Sequence, residues 1–168
     1  MKKYLIPAVV IGALILIAII SSGVLEGGVD RGVSDPANTT YIVEGEEVRF
    51  RNGSAGAMII FGQPVTGDLD ADGDNDMALV FQQASEGTGT FYYLAVALQN
   101  DDMSARGTNA IFVGDRIAPQ TLEIKDNVVI FNYAERKPDE PMIAQPSVGV
   151  SFYAVVENGV LIQQEAGE

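Results

Sequence analysis

Phe91-Tyr92-Tyr93-Leu94-Ala95-Val96-Ala97-Leu98 is apolar at odd and even positions alike. Side chains alternate between the two faces of a β-strand, so a run of this kind fits a central strand covered on both sides. Around it, short β-branched and aromatic runs recur with turn residues between them, and no sustained 3.6-residue periodicity intervenes. The expected strands are 41–43, 48–51, 57–61 and 77–82 before it, 90–98 around it, and 110–113, 121–124, 128–133, 150–156 and 160–162 after it. Lys125-Asp126-Asn127 and Glu157-Asn158-Gly159 each separate two such runs and read as hairpin turns, because Asn and Gly tolerate positive φ. Together these describe an all-β domain, mainly antiparallel, built as a sandwich or an open barrel. Residues 134–147 hold three prolines and alternating charges, so they read as an ordered excursion over the surface, where partners often bind.

The strongest chemical signal is Gly67-Asp68-Leu69-Asp70-Ala71-Asp72-Gly73-Asp74-Asn75-Asp76, directly before an expected strand. A hard cation of calcium's size takes roughly six to eight oxygens at about 2.3–2.6 Å. Asp68, Asp70, Asp72 and Asp76 stand at loop positions that supply side-chain oxygens, Asp74 at the position that supplies a main-chain carbonyl, and Gly73 at the sharp turn. Where an EF-hand has its bidentate Glu, this chain has Leu79, and strand follows in place of helix. The ring is then completed by water or by a carboxylate from elsewhere. Without a cation, five carboxylates in so short a stretch would repel one another, so calcium at residues 68–76 is the expected ligand. Magnesium fits less well, because it demands stricter octahedral geometry.

The 168 residues include no cysteine and no histidine, which removes disulfides, thiol nucleophiles, Ser-His-Asp arrangements and His-zinc sites. Ten basic against 23 acidic side chains give a formal charge of −13, which argues against a nucleic-acid partner. At the other end of the chain, Lys2 and Lys3 precede an uncharged apolar run over residues 4–20, and the first acid comes only at Glu26. A helix of about 17 to 22 residues spans about 26 to 33 Å, enough to cross a bilayer. Lysines before the run and acids after it favour a cytoplasmic N-terminus with the domain outside. Residues 1–25 therefore read as one hydrophobic helix, either a signal anchor or a cleaved signal peptide. Residues 26–39 follow as a Gly- and Ser-bearing linker, and 40–168 as the extracytoplasmic β domain. The expected address is the cell membrane with a single pass, or secretion if the leader is removed.

Gly67-Asp68-Leu69-Asp70-Ala71-Asp72-Gly73-Asp74-Asn75-Asp76-Met77-Ala78-Leu79-Val80 resembles the calcium loop of FG-GAP propeller blades and is similar to dockerin and thrombospondin type 3 loops. Those families repeat the loop, whereas this chain carries it once, so a propeller of several blades is not implied. Over residues 41–159 the chain also resembles an exported, uncharacterised bacterial domain found next to META (HslJ-like) domains. The resemblance rests on Gly67 to Asp76, Gly87-Thr88-Gly89-Thr90-Phe91-Tyr92-Tyr93, Gly114-Asp115-Arg116-Ile117-Ala118-Pro119-Gln120 and Asn132-Tyr133-Ala134-Glu135-Arg136-Lys137-Pro138. It implies a bacterial envelope protein and carries over no catalytic residue.

Gly87-Thr88-Gly89-Thr90 lacks the spacing and the following helix of a phosphate cradle and reads as a plain turn. Gly114-Asp115-Arg116 and residues 135–140 read as ion pairs that hold loops rather than as a binding patch. Two functions follow. The first is a calcium-binding, non-enzymatic module of the envelope, facing an envelope protein or a glycan. The second is a carboxylate-dependent hydrolase of envelope polymers, which requires a cleft with an acidic pair outside the calcium loop.

Overall fold

A computed structural model of the chain describes residues 35–165. The apolar helix expected over residues 4–20, with its anchor or signal role, lies outside the described residues. Among the described residues no helix is long and apolar enough to cross a membrane.

The domain is all-β. A short 3-10 turn at Pro36–Asn38 leads into β1 (Thr40–Val43), β2 (Glu46–Arg49), β3 (Ser54–Ala55), β4 (Met58–Gly67), β5 (Asp76–Ala84) and β6 (Thr90–Gln99). Next come β7 (Ala105–Gly107), β8 (Asn109–Asp115), β9 (Ala118–Lys125), β10 (Val128–Glu135), β11 (Val148–Glu157) and β12 (Val160–Gln164). One sheet runs β2-β1-β8-β6-β5-β4-β3 with β7 attached to β6, and a second runs β12-β11-β10-β9. All neighbours are antiparallel except β1 and β8, where Ile42 and Val43 lie beside Asn109 and Ala110 in parallel register. The second sheet closes over the first, with β9 alongside β4 and β12 alongside β8, which makes a nearly closed barrel.

The central position of β6 follows from its residues. Tyr92, Leu94, Val96 and Leu98 point into the barrel, against Ala78 and Val80 of β5 and Val129, Phe131, Phe152 and Leu161 of the second sheet. Tyr93, Ala95 and Ala97 point the other way, into a second core with Tyr41, Phe50, Leu79 and Phe81. There the Phe50 and Phe81 rings stack at 4.4 Å, and Tyr41 meets Phe81 edge-on at 4.8 Å. Each such pair contributes about 0.5–1.5 kcal/mol beyond the area it buries. Tyr92 to Leu98 are therefore buried on both faces, as the doubled parity predicts, and of the run only Phe91 is partly exposed.

The expected hairpins form. Asp126 and Asn127 take φ of 51° and 62°, and Asn158 and Gly159 take 51° and 77°, the backbone that two-residue turns require. Most strands run a few residues longer than or offset from the sequence reading, β3 and β7 have no counterpart in it, and three differences have a clear physical reason. Strand β4 continues past residue 61 through Gly62-Gln63-Pro64, because the register with β5 breaks between Phe61 and Val65 and lets those three residues swing out. A proline is tolerated where the ladder is already interrupted. Strand β7 has only three residues and no apolar pattern of its own; it is defined by pairing Ala105 to Gly107 with Gln99 to Ala97. Finally, the folded domain starts before Thr40. Asp35 caps the 3-10 turn by accepting from the Ala37 N–H, Pro36 is buried, and the Tyr41 hydroxyl donates to the Pro36 carbonyl at 2.9 Å.

The 134–147 excursion is ordered by Arg136. Its guanidinium donates to the Ala144 carbonyl at 2.6 Å and to the Arg116 carbonyl at 2.8 Å, pinning the loop to the turn between β8 and β9.

Candidate metal centre

The chain leaves β4 at Gly67, turns through residues 68–75 and enters β5 at Asp76. Leu69 is buried in the barrel core, while Asp68 and Asp70 on either side of it are not, so the apolar residue anchors the loop and its neighbours face outward. Ala71 and Gly73 take φ of 64° and 89°. At position 73 glycine adopts that backbone without a Cβ penalty, as the turn position requires. The Asp68 carboxylate accepts from the N–H groups of Ala71 at 2.7 Å and Gly73 at 3.2 Å, which curls the loop around it.

Asp76 is fully buried. Its carboxylate accepts from the Leu69 N–H at 2.8 Å and from the Gln99 N–H at 3.0 Å, tying the start of the loop and the end of β6 to the start of β5. Burial pushes its carboxyl above the usual range; the two N–H groups pull it back, and the charges of Asp70 and Asp72 push it up again. Asp70 is also raised, first by desolvation and then by the charge of Asp72. A cation would relieve both.

Asp68, Asp70 and Asp76 each offer a carboxylate oxygen, and these oxygens lie within 4.8 Å of one another. Ligands on opposite sides of a calcium ion sit about 4.6–5.2 Å apart, so one ion can touch all three. The donor set is all oxygen, which suits a hard cation. Three of the five aspartates singled out in the sequence thus converge. Asp72 stands outside the trio, its carboxylate accepting from the Asp74 N–H at 2.8 Å, and the Asp74 side chain is likewise not among the three.

No family model matches this chain, and neither does any curated protein or solved structure. The chemistry of the site therefore rests on its geometry.

One partner has no sequence signal beyond its place in a turn. Asn127, at the tip of the β9–β10 hairpin, donates from Nδ2 to the Asp68 carbonyl at 2.7 Å. The aspartate loop of the first sheet is thereby fastened to the second. Just above this contact Gly67 faces Ile124 so closely that a Cβ would come within 2.9 Å of Cγ2.

Beside the loop lies an open cleft of about 370 Å³, bordered by Asp70, Asp72, Asp101, Asp102 and Arg106. It has the acidic pair outside the loop that the hydrolase reading requires. The carboxylate of Asp102 is held below its usual range by hydrogen bonds from the hydroxyl and N–H of Ser104, so it stays ionised and makes a poor proton donor. Carboxyls shifted upward near this cleft belong to the metal loop itself.

The remaining polar segments hold loops. Asp115 and Arg116 form an ion pair at 2.7 Å, with Asp115 also accepting from the Thr90 N–H, and Lys137 lies 3.8 Å from Glu140. In the Gly87–Thr90 region, the Ser85 hydroxyl oxygen accepts from the Gly87 and Gly89 N–H groups, which is a turn.

Proposed function

We propose that this chain is a calcium-binding β module of the bacterial cell envelope, held to the membrane by its N-terminal apolar segment and acting by binding rather than by catalysis. The convergence of Asp68, Asp70 and Asp76 on one point carries the proposal. Supporting it are the all-oxygen donor set, the glycine turn at residue 73, and two carboxyls whose raised pKa values a divalent ion would bring down. Calcium is preferred over magnesium because magnesium demands a stricter octahedron and gives up its waters reluctantly. The partner is an envelope protein or a glycan; the net charge of −13 argues against nucleic acid.

Isothermal titration of the full chain with calcium tests the reading, with magnesium and with an Asp68→Ala, Asp70→Ala double variant as controls. Uptake of one calcium, weaker binding of magnesium and loss of uptake in the variant are expected. Absence of calcium uptake at millimolar concentration would refute the proposal.

The hydrolase reading has one observation in its favour, the acidic cleft beside the loop. Against it, Asp102 of that cleft is held below the usual carboxylate range by Ser104 and so is ill suited to the proton donation that glycoside cleavage uses.

A further inference from the structure

The seam between β4 and β9 is closed at one end and open at the other. At the closed end Gly67 packs on Ile124, and Asn127 bonds to the Asp68 carbonyl. Toward the other end both strands carry an irregularity. On β4, Phe61 pairs with Val80 but Val65 pairs with Ala78, so two extra residues bow out. On β9, Asn132 pairs with Thr121 but Tyr133 pairs with Pro119, so Gln120 is the extra residue. Bulges re-aim a strand locally, and they recur beside functional sites. Here two bulges on facing strands part the wall at the same level and leave a cavity of about 300 Å³.

The cavity reaches the barrel core, with Val80 and Phe131 as its floor and Phe61, Val65 and Leu122 along its sides. Phe61 is 37% exposed, a large apolar side chain left half open to solvent, and its ring meets Tyr92 edge-on at 5.5 Å. Gln63 and Gln120 stand exposed at the rim, and no charged side chain lines the cavity. In a chain of net charge −13 an uncharged cavity is informative. The surrounding field disfavours an anion, and no carboxylate is placed to pair with a cation.

From this geometry we infer a second binding site, distinct from the metal loop, that takes a small uncharged molecule with an aromatic or branched apolar body and one hydrogen-bonding end. The apolar body sits between Phe61 and Phe131, and its polar end meets the amides of Gln63 and Gln120. About 300 Å³ is the lower limit for ligand pockets, which restricts the guest to roughly a single ring system. For a ligand of that size an affinity of about 0.1 mM is expected.

The test is a titration of the methyl-labelled full chain with indole and benzyl alcohol as neutral probes, and with benzoate and benzylamine as charged ones of similar shape. Shifts confined to the methyls of Val65, Val80 and Leu122, saturating for the neutral probes and about tenfold weaker for the charged pair, are expected. No shift at those methyls at millimolar probe, or equal binding of all four, overturns the inference. Val65→Phe fills the cavity and should abolish the response; a retained response would place the probes elsewhere and also overturn it. Should that variant not fold, Gln120→Glu on the exposed rim serves instead. It should raise the affinity for benzylamine several-fold relative to that for benzyl alcohol, and an unchanged ratio of the two would overturn the inference. Calcium uptake by the loop is a separate readout, so the two proposals fail independently.

Discussion

Asn109 in β8 forms two hydrogen bonds with the main chain of Leu161 in β12: its Nδ2 donates to the Leu161 carbonyl at 3.0 Å, and the Leu161 N–H donates to its Oδ1 at 2.8 Å. A side-chain amide thus takes the place of a neighbouring strand's peptide and joins the two sheets where no ladder runs. Leu161 is buried, so its N–H and carbonyl have no water to turn to. Asn109→Leu should lower stability by about 2–4 kcal/mol, since each orphaned main-chain group costs about 1–3 kcal/mol. Faster amide exchange at Leu161 than at residues within β10 would accompany the loss, and an unchanged melting temperature would show that the seam is held by packing alone.

Calcium should stabilise the domain modestly. With a Kd of about 0.1 mM, as extracellular modules show, millimolar calcium contributes roughly 1.4 kcal/mol. For a domain of this size that corresponds to a melting temperature higher by about 3 to 7 °C than in chelator. Calorimetry in the two conditions measures it.

Asp76 and Asp70 should behave differently although both belong to the trio. Asp76→Ala strands the N–H groups of Leu69 and Gln99, so it should destabilise by about 2–5 kcal/mol even in chelator. In Asp70→Ala a carboxylate raised by desolvation and by Asp72 is removed, and its hydrogen bonding runs to Asp72 within the same loop. It should abolish the calcium-dependent shift and leave the melting temperature in chelator unchanged or slightly higher. Melting curves of both variants with and without calcium separate the two roles.

Strands β5, β6 and β10 to β12 could be read because each carries apolar residues at strand spacing and is bounded by turn chemistry. The three-residue β7 carries Ala-Arg-Gly, which says nothing until β6 is beside it. The continuation of β4 through Pro64 was hidden because a proline ends a regular strand but not a bulged one. At the aspartate loop, spacing alone marked the aspartates, but it could not show that Asp76 spends both oxygens on main-chain N–H groups or that Asp72 turns to Asp74. Those are consequences of burial and of how β6 ends, and neither is local in sequence.

Alkaline pH should loosen the outer core. The Tyr93 hydroxyl donates to the Glu44 carboxylate at 2.8 Å, and burial, with that bond and the Glu44 charge, pushes its pKa up to about 12. A folded-state pKa above the unfolded value means the folded chain holds the proton longer. This stabilisation is complete below about pH 10 and is lost as pH rises toward the folded value. Glu44→Gln should bring the Tyr93 titration down, measured by tyrosinate absorbance, while burial keeps it above that of an exposed tyrosine.

Gly107 has no room for a side chain. A Cβ there would collide with the Thr40 carbonyl oxygen and the Tyr41 ring, whereas at Gly149 it would meet nothing. Gly107→Ala should therefore cost about 1–3 kcal/mol through displaced backbone, and Gly149→Ala should change stability little. Denaturant titration of the pair provides the comparison.

The parallel pairing of β1 with β8 also bears on mechanics. Strand β1 is flanked by β2 on one edge and β8 on the other, and the residues before it are clamped by Tyr41, by the Gly53 N–H on Ala37 and by the Phe50 N–H on Thr39. Tension applied to the chain at Asp35 along the strand axis would have to slide β1 past both neighbours at once, breaking several bonds together. Peeling would break them one by one. The start of this domain would thus meet such tension in shear, with the tightly packed Tyr41–Phe50–Phe81 cluster behind it.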